Sequence, residues 1–260
     1  MHIKSTILRC PHAFSCREGG VSTLVHTKSL NLAFGRGDDD ETVLKNLSLF
    51  ADEVGFDPKN VISLPQIHSD RIFHVGKDRC GEGYFKTSGI DSGDGYVTGE
   101  RGVVLGIKTA DCVPILFEAE KNGEVVAVGA VHAGWRGTVQ SIAAKCITKL
   151  CEEWEVSPSD IRAAIGPCIH ACCYAVGEDV FAAVRDGVGE DIAERHVTRY
   201  DEGYVCDLPQ INKEIIMRAG VPEQNIEIID LCTCCRPELF FSHRYSGGVR
   251  GTMLNVIFMN

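Results

Sequence analysis

The side chains of this chain best suited to share a metal ion are His68, Cys112 and His132. Each stands where a short apolar run meets a polar turn. His68 lies in Gln66-Ile67-His68-Ser69-Asp70, between the runs Val61–Leu64 and Arg71–Val75. Cys112 closes Thr109-Ala110-Asp111-Cys112, between Val103–Lys108 and Val113–Phe117, and His132 follows the run Val125–Val131. Strand ends are places where side chains distant in sequence converge on one point. Zinc takes imidazole nitrogen and thiolate sulfur, and a catalytic zinc has three protein ligands with the fourth position open. Structural sites use close-spaced pairs, so three dispersed ligands favour an open, reactive site. Taken one at a time, a His or Cys at a strand end is more often a packing or solvated residue than a ligand.

Other residues offer further chemistry around such an ion. His132-Ala133-Gly134-Trp135-Arg136-Gly137 turns sharply out of a strand into an expected helix, whose free N–H groups attract anions, and Arg136 adds a guanidinium fork. Arg17, in Arg17-Glu18-Gly19-Gly20, is a second glycine-bounded cation. Asp94 and Asp111 are candidate proton shuttles, although most turn Asp residues are caps. Cys168, His170, Cys172 and Cys173 form one cysteine-rich group and Cys232, Cys234 and Cys235 another. Either could form a second metal site, but neither is read as holding a zinc-finger CxxC pair, and buried free thiols are the default for both. Among the nine His residues there is no HxH pair, which an imidazole-rich copper cluster would need. Dinucleotide (GxGxxG) and P-loop fingerprints are absent, as is the HxE signature of the cytidine-deaminase class.

These residues must be held by a mixed set of elements. Residues 41–54 space Val43, Leu44, Leu47, Phe50 and Val54 as a helix. Lys121-Asn122-Gly123-Glu124 reads as a turn between two strands. One amphipathic helix is expected from Arg136 to about Trp154, with Ile142, Cys146, Ile147, Leu150, Cys151 and Trp154 on a single face. Ile161–Ile165, Ile226–Ile229 and Met253–Phe258 read as strands, and Gly177–Val184 and Leu208–Ala219 as helices. Hairpin-like strands mixed with helices predict an α+β fold, and with no linker or repeat residues 1–260 are expected to form one domain. A net charge of -10 argues against nucleic-acid or anionic-membrane partners, while a local Arg cluster still permits an anionic small molecule. There is no signal-peptide pattern, no long apolar run and an odd count of 13 cysteines, so a cytoplasmic protein with reduced thiols is expected.

The segments REGGVS, SLNLAFG, PQIHSD, DGYVT, KTADCVPILF, AVHAGWRG, IGPCIHACCYAVG, CTCC and FFSHRYSGG closely resemble the YfiH family in order and spacing, over residues 12 to 258. That family has also been called the multicopper polyphenol oxidase or laccase domain, and it includes the peptidoglycan editing factor. Residue by residue, its metal ligands match His68, Cys112 and His132. The resemblance implies zinc, with copper able to substitute, and a four-layer α/β/β/α sandwich of the cysteine-hydrolase-like type. It implies phosphorolysis of adenosine, inosine, guanosine and methylthioadenosine, with deamination of adenosine, so nucleoside and phosphate would be the partners. Arg17, Arg136 and Asp94 match family positions and, with Asp111, are the expected substrate-binding residues. Two departures stand out: Asn46-Leu47 where many members have Asn-Arg, and Ser69 where Gly is usual, which could narrow the pocket mouth. Three other roles stay open: an amidase editing cell-wall precursors, using zinc hydroxide or Cys112 as nucleophile with His132 as base; a copper-dependent polyphenol oxidase; and a zinc-binding interaction module without turnover.

Overall fold

The apolar runs flanking Cys112 and His132 form the centre of the molecule. The structure is a computed structural model and describes residues 2–86 and 92–260. Strands β1 (His2–Ile3) and β2 (His12–Ser15) precede helix α1 (Asp40–Val54). Then come β3 (Val61–Ile62), β4 (Ile72–His74), β5 (Gly95–Thr98), β6 (Val104–Thr109) and the hairpin of β7 (Val113–Lys121) and β8 (Glu124–Ala133). Helices α2 (Trp135–Val139) and α3 (Ile142–Trp154) lead to β9 (Ile161–Ile165) and β10 (Ala175–Val176). After α4 (Glu178–Val188), α5 (Glu190–His196), β11 (Val197–Tyr200), β12 (Gly203–Cys206) and α6 (Leu208–Arg218), strands β13 (Ile226–Ile228) and β14 (Met253–Phe258) complete the order. The fold is mixed α+β, as the alternation of short strands and helices predicts.

Among the described residues the strands form three sheets: β1-β2-β14-β6-β3, β13-β9-β7-β8-β5-β4, and the small β10-β12-β11. The period of two along a strand sorts side chains between cores. On β7, Leu116 meets Leu105, Val128 and Ile257 between the two large sheets. Its neighbours Ile115 and Phe117 instead meet Ile142, Cys146 and Leu150 of α3 and Ile211 and Ile215 of α6. On β14, Val256 and Phe258 turn the other way, against Val43, Leu47 and Phe50 of α1. Each such side chain, fully buried, contributes about 1.5–3 kcal/mol. Burial on both faces explains why β7 reads as an uninterrupted apolar run rather than an alternating one.

The expected turn at Asn122-Gly123 is present, with both residues at positive φ (55° and 85°), the conformation a two-residue hairpin loop requires. The single helix expected after Arg136 is instead two. It stops at Val139 and restarts at Ile142, with Ser141 at a φ of 57° between them. Asn212 on α6 donates to the Thr138 hydroxyl (2.9 Å), which fixes the short first segment. The stretch from Val188 to Asp207 carried no sequence expectation; it forms α5 and a hairpin whose residues 198–200 are exposed and therefore lack an apolar period.

Register sets up the site. Strands β7 and β8 pair antiparallel with Pro114 opposite His132, so Cys112, just before β7, lies beside the end of β8. Strand β5 pairs with β8 with Gly95 opposite Val131, which brings Asp94 to the same end. Strand β6 belongs to the other large sheet, so Ala110, Asp111 and Cys112 cross from one sheet to the next.

Candidate metal centre

The backbone places His68 by way of one carboxylate. Asp94 is fully buried. Its Oδ1 accepts the His68 N–H (3.0 Å), and its Oδ2 accepts the N–H groups of Ile67 (3.2 Å) and Ser69 (2.6 Å) and the Ser69 hydroxyl (2.7 Å). Three successive N–H groups converging on one anion form a nest, and His68 sits in it at a φ of 60°. The same Asp94 Oδ1 takes Nδ1 of His132 at 2.8 Å. One side chain therefore positions two of the three expected ligands.

The ligand atoms of His68, Cys112 and His132 lie within 4.8 Å of one another. Nε2 of His68 is 3.8 Å from the Cys112 sulfur, and the two imidazoles meet edge to face with centroids 4.8 Å apart. Gly134 makes this approach feasible: a Cβ there would stand 2.9 Å from the His68 ring and 3.2 Å from the Cys112 sulfur. Gly134→Ala should force the ligands apart at a cost of about 1–3 kcal/mol, lowering metal affinity about 5- to 150-fold. The check is a metal titration of folded protein; unchanged affinity would mean that the ligands have more room than the structure gives them.

Electrostatics favour a thiolate at Cys112 and a carboxylate at Asp94. Burial raises the Asp94 carboxyl, but His132 and the Ser69 N–H and O–H outweigh it and hold it at about 2. Burial also opposes charge on Cys112 and His132, yet their mutual attraction wins, drawing the thiol down and, with Asp94, the imidazole up, so a metal bound through Nε2 of His132 would displace a proton from that ring. The donor set suits a borderline-soft cation. Nδ1 of His132 is committed to Asp94, leaving Nε2 free, and the Cys112 thiol is drawn toward thiolate, the form that binds metal.

The three ligands line one end of a cleft of about 270 Å³. Arg36, Lys108 and Arg250 line it too, and among the described residues no carboxylate does. Lys108 lies over the Tyr84 ring, 4.5 Å from its centroid. Burial, with Arg36 beside it, brings its ammonium down to about 8. Gln66 grips the Lys108 backbone through both its amide groups, at 2.8 Å each. Arg250 donates to the Thr252 hydroxyl at 2.8 Å, while its Nε is a buried donor without a partner among the described residues. Sequence reasoning missed all three cations, although Lys108 opens the KTADC segment and Arg36 follows SLNLAFG.

The expected substrate residues are placed otherwise. Neither Arg136 nor Arg17 lines the cleft. Arg136 stacks its guanidinium on Trp135 at 4.3 Å, on a helix of only 5 residues. Arg17 donates to the carbonyls of Lys28 and Pro237 (2.6–3.0 Å) and covers Phe241. Asp111, at a φ of 90°, accepts from the Thr233 hydroxyl (2.6 Å) and the Arg244 N–H (2.7 Å), so it braces the turn that presents Cys112. Ser69 narrows no pocket mouth; it supplies two of the donors to Asp94. Leu47, at the family's Arg position, is on the buried face of α1, and Asn46 ties Val21, Ser22 and Asn31 together. The cysteine groups also depart from expectation. Cys232 and Cys235 do stand in CxxC spacing, and they meet Cys172 and Cys173 in one cluster in which Cys172 and Cys235 are exposed rather than buried.

The family model described as "Multi-copper polyphenol oxidoreductase laccase" matches residues 11–260. The chain belongs to this family, the YfiH family. One relative is "Purine nucleoside phosphorylase YlmD" of Bacillus subtilis, 35% identical over 95% of this chain and 87% of that one. Another, "Adenosine deaminase RL5" from an unknown prokaryote, is 33% identical over 90% of this chain and 88% of its own length. Among solved structures, a "hypothetical protein YfiH" of Bacillus licheniformis superposes with a TM-score of 0.90 at 32% identity, over 96% of this chain and 92% of that one. Relatives in the family are thus named as enzymes acting on purine nucleosides. Among the described residues no helix is long and apolar enough to cross a membrane.

Proposed function

We propose that the protein is a zinc-dependent purine nucleoside phosphorylase of the cytoplasm, taking adenosine, inosine, guanosine and methylthioadenosine, with adenosine deamination as a second activity. The observation that carries this reading is that a His/Cys/His ligand set and three cations face one cleft with no acid among them. The names of the relatives agree with it. The three cores then serve as the seams of a four-layer α/β/β/α arrangement, with residues 1–260 acting as one domain.

In this reading Arg36, Lys108 and Arg250 hold phosphate, the unpartnered Arg250 Nε supplying one donor. Charge-assisted hydrogen bonds of this kind are the stronger ones. Phe34, which also lines the cleft, is the aromatic residue there that a purine would meet. His68, Cys112 and His132 hold the zinc, and Asp94 keeps His132 in the tautomer whose Nε2 faces the metal. When bound, zinc supplies a Lewis acid and lowers the pKa of water, the chemistry that hydrolytic deamination needs. Asp94 and Asp111 already accept several hydrogen bonds, so both act by positioning rather than as the proton shuttles that sequence suggested.

The test is a nucleoside panel assayed with and without phosphate, reading free base and deaminated product separately. Phosphate-dependent base release should weaken as pH rises through about 8, where Lys108 loses the proton that makes it a cation. Base release that ignores phosphate would refute the phosphorylase reading. One observation favours a second reading, a thiol amidase: the Cys112 sulfur and a His132 ring nitrogen lie within 4.8 Å, where each draws the other toward its charged form. That mechanism would survive chelation and be abolished by alkylation of Cys112, whereas the zinc reading requires loss on chelation and recovery with zinc.

A further inference from the structure

Away from the cleft, the loops after β9 and β13 leave one sheet edge together. The two strands are parallel neighbours, with Ile228 opposite Ile165. Pairing continues beyond them, where the Thr233 N–H donates to the Cys168 carbonyl at 2.9 Å and Cys168 bridges Cys232. Beyond that bridge the sulfurs of Cys172, Cys173, Cys232 and Cys235 gather within 4.8 Å of one another. Cys235 lies 3.5 Å from Cys172 and 3.3 Å from Cys173, sulfur to sulfur.

These separations are far above the ~2.05 Å of a disulfide. They are near the ~3.8 Å edge of a tetrahedron of sulfurs each ~2.3 Å from a central zinc. Core packing does not account for the cluster, because Cys172 and Cys235 are exposed. The neighbouring Cys168, by contrast, is wholly buried and stands outside the group. Cys232 and Cys235 provide the close-spaced CxxC pair that structural zinc sites use, and the adjacent Cys172 and Cys173 close the set from the other loop.

We propose that Cys172, Cys173, Cys232 and Cys235 bind a second, structural zinc ion as four thiolates, displacing their protons. The ion would join the two loops just where both reach the reactive centre. The Ile169 N–H donates to the Asp111 carbonyl (2.9 Å), and Thr233 donates to the Asp111 side chain (2.6 Å), one residue before Cys112. Arg244 reinforces the join by donating to the carbonyls of Cys173 and Ala175 at 2.8 and 2.9 Å. No open coordination position is left at this second ion, so it organises the site and does not react.

The experiment uses the full chain in a Cys112→Ala background, which removes a ligand of the first metal and leaves the second site intact. After loading with zinc and desalting under reducing conditions, that protein should retain one zinc per chain, and X-ray absorption should show four sulfurs at ~2.3 Å. The otherwise unmodified protein should hold two. Adding Cys172→Ser and Cys235→Ser to the Cys112→Ala background should take the content to zero. Should that combination not fold, protection of the four cysteines from alkylation by zinc, lost on chelation, gives the same answer. A Cys112→Ala protein without zinc, a zinc with mixed nitrogen and sulfur ligands, an iron–sulfur absorption spectrum, or a disulfide among the four would each overturn the proposal. None of these readouts depends on nucleoside turnover.

Discussion

Replacing Asp94 with Asn is expected to lower zinc affinity at the His68–Cys112–His132 site about 10- to 100-fold, the usual consequence of losing a carboxylate behind a metal-bound imidazole. The effect should be at the upper end of that range because Asp94 holds more than His132. Its Oδ2 accepts from Ile67, Ser69 N–H and the Ser69 hydroxyl, and an amide NH₂ placed there would meet three donors without an acceptor. With Oδ1 instead replaced, the amide would face the His68 N–H and Nδ1 of His132. Either orientation leaves buried donors unpaired at about 1–3 kcal/mol each, so folding stability should fall together with metal affinity. Zinc titration and thermal unfolding measured on the same sample check both. A variant that keeps its zinc affinity would show that the nest around Asp94 serves the fold alone.

The second large effect concerns the cations. Lys108→Met combined with Arg250→Ala should reduce phosphorolysis about 10²- to 10⁴-fold, since each charge-assisted contact to phosphate is worth about 1.5–3 kcal/mol. Arg136→Ala, although it alters the residue that sequence alone puts forward for anion binding, should leave phosphate dependence close to normal because Arg136 does not line the cleft. Zinc content should be unaffected in both proteins, since neither change touches a ligand. The comparison is made on the phosphate KM and on kcat at saturating nucleoside. The reverse pattern, with Arg136 critical and the pair dispensable, would place phosphate outside this cleft.

The difference between these expectations and those from sequence has a physical basis. His68, Cys112 and His132 were legible because each is an uncommon, metal-competent residue at the end of an apolar run. Asp94 was legible as a functional residue but not in its role, because what makes it an orienting group is the set of donors that register places around it. Lys108, Arg36 and Arg250 look like ordinary solvated cations in one dimension; they line one cleft only because β6, the loop after β2 and the approach to β14 meet. The elements followed the same rule. Strands buried on both faces, such as β7, announce themselves through composition. The break at Ser141 goes with a contact from α6, and the exposed residues 198–200 of β11 have no apolar period to read. The two cysteine groups were visible as halves, whereas their union depends on the parallel pairing of β9 with β13.

The most direct test of the central claim is phosphorus NMR of inosine mixed with phosphate and copper-free, zinc-quantified protein. Nucleoside, phosphate and the His68–Cys112–His132 centre should together yield ribose 1-phosphate and hypoxanthine in equal amounts. Formation should cease on chelation, return with zinc, and be absent in Cys112→Ala, while no phenol is oxidised. A fully zinc-loaded protein that forms no sugar phosphate, or one whose turnover appears only as phenol oxidation with several coppers bound per chain, would contradict the account.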